Sequence, residues 1–250
     1  MTSATGRWQT IEIGGHACHA YEPPEPSPHG DTVLYLHCVN SVPLAEHPAF
    51  ERLFDQYGLR CLAPVTGRSW WADRVSPDFD PAKSAEQYVL HDVLPWLGEQ
   101  WGVRPPAVAL LGISMGGQGA LKLAYKHPNT FPVAAAISSA IDYQQWVDAG
   151  DPCLSQMYAD PEAARQDTAT LHIHPLNWPR QQWFCCDPAD ELWYDGNDRL
   201  RMKLYSLGVP HTCDLDTSAG GHCWEYNEHM APAALEFIHQ SLEHERLRVV

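Results

Sequence analysis

The 250-residue sequence contains no run of about 18 apolar residues, the minimum for a helix that crosses a bilayer. Basic residues are also scarce, because 16 Lys and Arg stand against 31 Asp and Glu and give a formal net charge of −15. Nucleic acids and anionic membranes bind clusters of Lys and Arg. We therefore expect neither partner, and we expect a small neutral or cationic ligand instead.

Metal-binding cysteine spacings are absent as well. None of the eight cysteines forms a Cys-x-x-Cys pair, which argues against a structural zinc site. His172 and His174 could share one face of a strand, but no third ligand lies near them in the sequence. We expect no metal and no cofactor. Several cysteines lie inside apolar runs, where a free thiol behaves as a small hydrophobe, so we interpret them as reduced.

The N-terminal residues lack a basic patch followed by an apolar stretch, so we predict no secretory signal and a cytoplasmic location. No internal repeat occurs, and the Pro-rich residues 22–30 are interpreted as a loop. A single domain over residues 1–250 is expected at this length. The oligomeric state, monomer or homodimer, stays open.

Short apolar runs alternate with helical stretches from Thr32 onward. This pattern predicts an α/β fold with a mostly parallel central sheet and helices on both faces. A hairpin over 8–13 and 17–21, with its turn at Gly14-Gly15, is predicted to precede it. The further predicted strands are residues 33–36, 60–63, 108–111, 133–138, 182–186 and 211–215.

Three helices are predicted from their caps and apolar spacing. The first follows a capping box at Ser84 and is bent or weakened by Pro95, and the second covers 196–207. The third covers 231–243, with Pro232 near its start. Residues 141–179 have little apolar periodicity and are predicted to be an irregular insert that roofs the site with Trp146, Met157 and Trp178.

The segment that carries chemistry is Gly112-Ile113-Ser114-Met115-Gly116, which lies between an apolar strand and a predicted helix. This is the G-x-S-x-G nucleophile elbow in the context that it requires. Glycines two residues to either side let the neighbouring backbone pass a strained serine without a Cβ clash. Ser114 is therefore the predicted nucleophile, and the Met115 amide is a predicted oxyanion donor.

A nucleophilic serine needs a general base, and His222 is the candidate. It lies on a glycine turn between the last predicted strand and the last predicted helix. The acid that orients the histidine should come before it in the chain, after the strand over 182–186. Asp187, Asp190 and Glu191 are the alternatives at that point.

Three segments resemble the esterase D and antigen 85-type branch of the α/β-hydrolases. They are Gly-Ile-Ser-Met-Gly-Gly-Gln-Gly-Ala-Leu at 112–121, Cys-Asp-Pro-Ala-Asp at 186–190 and Gly-Gly-His-Cys-Trp at 220–224. The second segment resembles the family's Cys-Gly-x-x-Asp run, which implies that Asp190 is the triad acid and Asp187 stands at a glycine position. The branch includes carboxylesterases, S-formylglutathione hydrolases, feruloyl-type esterases and mycolyl transferases. The resemblance therefore implies an α/β-hydrolase fold and acyl-transfer chemistry.

The resemblance also suggests the remaining site residues. Family members often carry His-Gly after the first parallel strand, where this sequence has His37-Cys38-Val39, so the second oxyanion donor is the amide of Cys38 or Val39. Residues 64–73 resemble the family's Ser-Trp stretch beside the serine. An aromatic substrate pocket is the expectation, unless these tryptophans only pack the junction of sheet and loops. Its predicted members are Arg68, Trp70, Trp71, Trp193 and Trp224.

These features together predict a serine carboxylesterase that hydrolyses small or aromatic esters through an acyl-enzyme on Ser114. Two alternatives remain. The acyl group could pass to an alcohol or sugar acceptor, or the chain could be a catalytically silent binding protein that kept the fold.

Overall fold

The computed structural model describes residues 6–248, and within them eight strands form one sheet. The strands are β1 (Arg7–Ile13), β2 (His16–Glu22), β3 (Thr32–Leu36), β4 (Arg60–Pro64), β5 (Val108–Ile113), β6 (Val133–Ile137), β7 (Gln181–Cys185) and β8 (Thr212–Asp214). Their order across the sheet is β1-β2-β4-β3-β5-β6-β7-β8. Strand β2 pairs antiparallel with both β1 and β4, and all other neighbouring strands pair parallel. The predicted mostly parallel sheet is confirmed.

Helices cover both faces of this sheet. They are α1 (Pro48–Tyr57), α2 (Ala85–Tyr88), α3 (Leu94–Trp96), α4 (Met115–Lys126), α5 (Gln144–Asp148), α6 (Pro152–Met157), α7 (Pro161–Gln166), α8 (Tyr194–Ser206) and α9 (Trp224–Arg246). Adjacent strand residues face opposite sides, so Leu34 joins the core under α4 while Tyr35 joins the core under α1 and α9. The two cores pack against opposite faces of the sheet and so fix the edge at which the parallel strands have their carboxyl ends.

Two predicted helices differ from the structure in extent. Ser84 caps α2 by accepting a hydrogen bond from the Gln87 amide at 3.1 Å, but π-helical turns at Val89–Val93 and Leu97–Trp101 then continue the helix past Pro95. The last helix begins at Trp224 rather than at residue 231, so Pro232 lies inside it. The missing amide of Pro232 removes one helical hydrogen bond, which the burial of Tyr226 and Met230 on the same helix outweighs.

The predicted irregular insert is more ordered than its sequence indicated. Residues 141–179 contain α5, α6, α7 and a 3₁₀ turn at Ala169–His172. Asp151 caps α6 by accepting hydrogen bonds from the amides of Cys153 and Leu154. Asp160 caps α7 in the same way. These helices are too short to show an apolar period, and their caps were the signal that the prediction overlooked.

A buried ion pair ties this insert to α4. Lys122 on α4 is fully buried, and its Nζ lies 2.6 Å from Oδ1 of Asp167 at the end of α7. The same carboxylate accepts a hydrogen bond of 2.6 Å from the Tyr158 hydroxyl. Burial alone would raise the pKa of Asp167, but hydrogen bonds from His172, Lys122 and Tyr158 and the charge of Lys122 hold that pKa far below its usual range.

Residues 1–5, on which the expectation of no secretory signal partly rests, and residues 249–250 lie outside the described residues. Between residues 6 and 248, no helix has both the length and the apolar character needed to cross a membrane. The eight cysteines all lie in this part of the chain and are unpaired thiols.

Candidate active site

The serine of the elbow lies at the junction of β5 and α4. Ser114 has φ 56° and ψ −116°, a strained conformation for a residue with a side chain. A Cβ atom at Gly112 would collide with the Gly116 carbonyl, and one at Gly116 would collide with the Leu36 carbonyl. The two glycines therefore allow β5 and α4 to meet at this angle, and Ser114 stands at the carboxyl edge of the sheet.

The structure brings Ser114, His222 and Asp190 together. The Ser114 Oγ lies 3.1 Å from His222 Nε2, and His222 Nδ1 lies 2.8 Å from Asp190 Oδ2. The other carboxylate oxygen of Asp190 accepts hydrogen bonds from the amides of Leu192 and Trp193. Because a carboxylate only accepts, Nδ1 carries a proton and Nε2 is free to accept the serine proton.

Asp187, the competing acid, binds the backbone of the loop that carries His222. Its side chain is fully buried, and its two oxygens accept hydrogen bonds of 2.6 Å from Ala219 N, 2.7 Å from Ser218 Oγ and 2.9 Å from Gly221 N. Burial alone would raise the pKa of Asp187, but these bonds and one from the Ala189 amide outweigh it and lower the pKa to about 2. Asp187 therefore shapes the loop without contacting the imidazole. Residue type and position alone could not separate this role from that of the triad acid, and only the family resemblance favoured Asp190.

A second buried side chain holds the loop after β3. His37 Nδ1 donates to the Cys38 carbonyl at 2.7 Å, and its Nε2 accepts from the Thr66 amide at 3.0 Å. Burial lowers the pKa of His37 to about 4, so the ring is neutral near pH 7. The Cys38 carbonyl also accepts from the Ser41 amide at 3.0 Å. Since the N–H and C=O of a trans peptide point in opposite directions, these bonds direct the Val39 N–H away from the His37 ring.

A cavity of about 200 Å³ opens at Ser114 and His222. Cys38 and Cys223 lie at its edge with Ser114 and His222. Its other walls are the side chains of Val39, Asn40, Ile113, Trp146, Leu192, Trp193, Trp224 and Asn227. A larger groove of about 670 Å³ runs beside α8 and β8 and includes no residue of the triad.

The structure corrects part of the predicted substrate pocket. Trp193 and Trp224 line the cavity, whereas Trp70 and Trp71 are fully buried behind it. Trp70 stacks on Tyr143 with ring centroids 4.9 Å apart, and the Trp71 Nε1 donates to the His37 carbonyl at 3.1 Å. These tryptophans pack the junction of sheet and loops, the alternative that the sequence had left open.

Arg68 is not a cavity residue either, because its guanidinium forms an ion pair with Asp151 at the start of α6. Of the three insert residues predicted to roof the site, Trp146 lines the cavity and Met157 is buried in the core. Trp178 packs against that core and does not line the cavity. Asn40, Leu192 and Asn227 were not predicted, and no local pattern in the sequence distinguishes them.

Comparisons with known proteins identify a matching family and several sequence relatives. The family model described as putative esterase matches residues 62–239. The diacylglycerol acyltransferase/mycolyltransferase Ag85B of Mycobacterium intracellulare is 35% identical over 212 residues, which are 72% of this chain and 64% of that protein. The corresponding Ag85A of Mycobacterium tuberculosis is 33% identical over 213 residues, 72% of this chain and 62% of that protein. The chain thus spans less than two thirds of the length of these relatives.

Solved structures with the same architecture cover nearly the whole chain. An S-formylglutathione hydrolase from Agrobacterium tumefaciens superposes with a TM-score of 0.75 at 18% identity, over 97% of this chain and 98% of that one. MPT51 of Mycobacterium tuberculosis gives a TM-score of 0.71 at 15% identity, over 93% of this chain and 99% of that one. The predicted α/β-hydrolase fold is confirmed.

Proposed function

The chain belongs to the putative esterase family, and from that premise we propose that it is a serine carboxylesterase acting on small or aromatic esters through an acyl-enzyme on Ser114. The observation that carries this proposal is the connected path of hydrogen bonds from Ser114 Oγ through His222 to Asp190, with lengths of 3.1 and 2.8 Å. A serine at its ordinary pKa is a poor nucleophile, and this path supplies the base that activates it.

In the proposed reaction, His222 Nε2 takes the Ser114 proton as Oγ attacks the ester carbonyl. The imidazolium then gives that proton to the departing alcohol. In deacylation, His222 Nε2 takes a proton from water as the water oxygen attacks the acyl carbonyl, and it returns the proton to Ser114 Oγ as the free acid leaves. Asp190 holds the Nδ1–H tautomer and stabilises the imidazolium without taking its proton.

Two backbone amides hold the tetrahedral oxyanion in this proposal. The Met115 amide is at the N-terminal end of α4, where the helix dipole favours negative charge. We assign the second donor to Val39 rather than Cys38, since the hydrogen bonds from His37 and Ser41 to the Cys38 carbonyl fix the peptide plane that carries the Val39 N–H.

The test is covalent labelling with a fluorophosphonate probe, mapped by mass spectrometry, together with hydrolysis of p-nitrophenyl acetate. Ser114→Ala should lose labelling and lower kcat on the order of 10⁶-fold, with its circular dichroism unchanged. Ser155→Ala is the matched control, because Ser155 is an exposed serine on α6. Labelling at another residue, or turnover by Ser114→Ala at the original rate, would refute the proposed nucleophile.

The size of the cavity supports small substrates. About 200 Å³ is below the roughly 300–1,000 Å³ of typical ligand pockets. We expect kcat/KM to fall as the acyl chain of p-nitrophenyl esters grows from acetyl to octanoyl. Activity on an aromatic feruloyl ester should be retained, because Trp146, Trp193 and Trp224 offer flat apolar walls. Equal activity on all chain lengths would mean that the cavity does not limit the acyl group.

Acyl transfer is the second candidate, because the relatives of known function in the comparison are described as acyltransferases. Hydrolysis is favoured by the small cavity, which leaves little room for a diacylglycerol product. Product analysis with added alcohol or sugar acceptors distinguishes the two, since a transferase forms the new ester at the expense of free acid. A silent binding protein is disfavoured by the aligned triad.

We further propose a cytoplasmic location and a small-molecule ester as the partner. Eight unpaired cysteines, six of them buried, support a reducing compartment. The net charge of −15 disfavours nucleic acid as a ligand. Fractionation of expressing cells, with the activity assay as readout, tests the location.

A further inference from the structure

One wall of the cavity contains a buried polar side chain whose hydrogen-bonding capacity is unused. Asn227 is 6% exposed, it lines the cavity beside Ser114 and His222, and its Oδ1 has no hydrogen-bond partner among residues 6–248. Buried carbonyl oxygens are almost always hydrogen-bonded, because leaving one unpaired opposes folding. An exception inside a catalytic cavity indicates a partner that arrives with the substrate.

The position of Asn227 is fixed by the helix that carries it. Its amide donates to the Cys223 carbonyl at 3.2 Å, so the residue lies in the first turns of α9, directly after the catalytic histidine. Trp224 lies one turn earlier on the same helix face and stacks on His47 with ring centroids 3.6 Å apart. His47 is in turn held by Glu228 at 2.7 Å. A rigid aromatic plane and an unpaired amide therefore stand side by side in one wall.

The unpaired asparagine oxygen on α8 differs from this one. Asn197 on α8 also has an unpaired Oδ1, but its Nδ2 donates to the carbonyls of Ser139 and Trp193, and the residue does not line the cavity. Asn197 thus has a structural use. The side chain of Asn227 makes no hydrogen bond of this kind to the rest of the described chain, although it stands where a substrate must lie.

We propose that Asn227 is a specificity-determining residue that accepts a hydrogen bond from a hydroxyl group of the substrate, so that the preferred substrates are short hydroxyl-bearing esters. The inference rests on the esterase function proposed above and narrows its substrate class. Among the described residues Oδ1 has no partner in the free protein, and it is almost inaccessible to water, so an apolar ester that fills the cavity leaves it unpaired. A hydroxylated ester of the same size supplies the missing donor, and sites built this way discriminate strongly against analogues that lack the donor.

The experiment compares two pairs of esters that differ in one hydroxyl. The acyl-side pair is p-nitrophenyl butyrate and p-nitrophenyl β-hydroxybutyrate, and the alcohol-side pair is propyl butyrate and 2-hydroxyethyl butyrate. The unmodified protein should prefer the hydroxylated member of one pair by about tenfold or more in kcat/KM. Asn227→Leu should abolish that preference by lowering kcat/KM for the hydroxylated ester while keeping or raising it for the apolar one.

Controls separate this role from a structural one. Asn227→Asp keeps an acceptor oxygen at the same place and should retain the preference. Gln240→Leu makes the corresponding amide-to-apolar change on the exposed face of α9 and should not alter the ratio. Because Leu removes an unpaired buried oxygen, the Tm of Asn227→Leu should stay level or rise, whereas a structural residue would lower it.

The possible outcomes are distinguishable. If the unmodified protein shows no preference within either pair, or if Asn227→Leu has the same ratio as the unmodified protein, the role of Asn227 is refuted while the esterase function stands. If folded protein hydrolyses none of the four esters and takes up no fluorophosphonate, the esterase function fails and this inference fails with it.

Discussion

Two loops at the carboxyl edge of the sheet, each carrying a group of the proposed reaction, are held by different means. The oxyanion loop, residues 37–41, is held by the neutral ring of His37, and the His222 loop, residues 218–222, is held by the charged carboxylate of Asp187. Both side chains are buried and both bind main-chain groups. Burial lowers the pKa of His37 to about 4, while in Asp187 hydrogen bonds overcome burial and lower the pKa to about 2.

Because of this difference, we expect a falling pH to weaken the loop held by His37 first and the loop held by Asp187 later. Protonation gives His37 a buried charge and removes the acceptor for the Thr66 amide, whereas protonation of Asp187 removes a charge that loop amides stabilise. The stabilisation from neutral His37 is therefore lost as the pH falls from its unfolded pKa of 6.5 to its folded pKa of about 4. The stabilisation from ionised Asp187 is lost only at lower pH, between its unfolded pKa of 3.8 and its folded pKa of about 2.

The largest effect in this comparison is expected for Asp190→Asn, which tests whether Asp190 rather than Asp187 orients His222. Asp190→Asn keeps the oxygen that accepts from Leu192 and Trp193, but it no longer stabilises the imidazolium of His222. We expect kcat to fall about 10⁴-fold with little loss of stability. Steady-state kinetics with p-nitrophenyl acetate measures this, and a variant that keeps a tenth of the original kcat would contradict the assignment.

Asp187→Asn should lower stability more than it lowers kcat, the opposite of Asp190→Asn. An amide in place of the carboxylate sets an N–H group against loop donors such as Ala219 N and Gly221 N. The free energy of unfolding should fall by about 2–4 kcal/mol, because charge-assisted bonds to a buried group are lost. Urea denaturation measures the loss. A drop in kcat as large as that of Asp190→Asn, with stability unchanged, would instead make Asp187 the triad acid.

His37→Gln sharpens the pH comparison. At pH 7 the variant should be less stable than the unmodified protein, and the gap should narrow as the pH falls towards 4.5. The lowered pKa means that roughly 3 kcal/mol of stabilisation from His37 is present above pH 6.5 and is lost on approach to pH 4. Urea denaturation of both proteins at several pH values measures the gap. A gap that stays constant over this range would show that the ring does not titrate there.

The smallest expected effect concerns a single bond within the His222 loop. Ser218→Ala removes the hydroxyl that donates to Asp187 at 2.7 Å and should lower the free energy of unfolding by about 1 kcal/mol. Thermal denaturation measures it, with Ser155→Ala as the surface comparison. A loss equal to that of Asp187→Asn would mean that this one bond, rather than the set of amides, holds the loop.

Features with a local signature could be predicted from the sequence. Strand runs such as 108–111 and the glycines around Ser114 encode their conformation within a few residues, so the sheet and the elbow were found. The start of α9 was missed because Pro232 imitates a helix start, and only the tertiary burial of Tyr226 and Met230 shows otherwise.

The cavity could not be predicted in the same way, because its walls come from distant segments. Asn40 and Asn227, which were not predicted, line one cavity only after the loop that follows β3 and the start of α9 have packed at the same edge of the sheet. Trp70 and Trp71 carry the same chemistry as Trp193 and Trp224, and Trp193 is almost as buried as they are. Only the packed structure shows that Trp193 and Trp224 line the cavity and the other pair does not. The holding role of His37 also depends on Thr66, which lies on another loop.

The ion pair between Lys122 and Asp167 restricts which segments of this chain can be exchanged. A foreign segment put in place of residues 141–179 would leave the Lys122 ammonium without its counter-ion in an apolar interior, at a cost of several kcal/mol. Recombination between homologues would have to move α4 and the insert as one block. New substrate preferences are therefore more accessible through point changes at wall residues such as Leu192 and Trp146 than through transplanted segments.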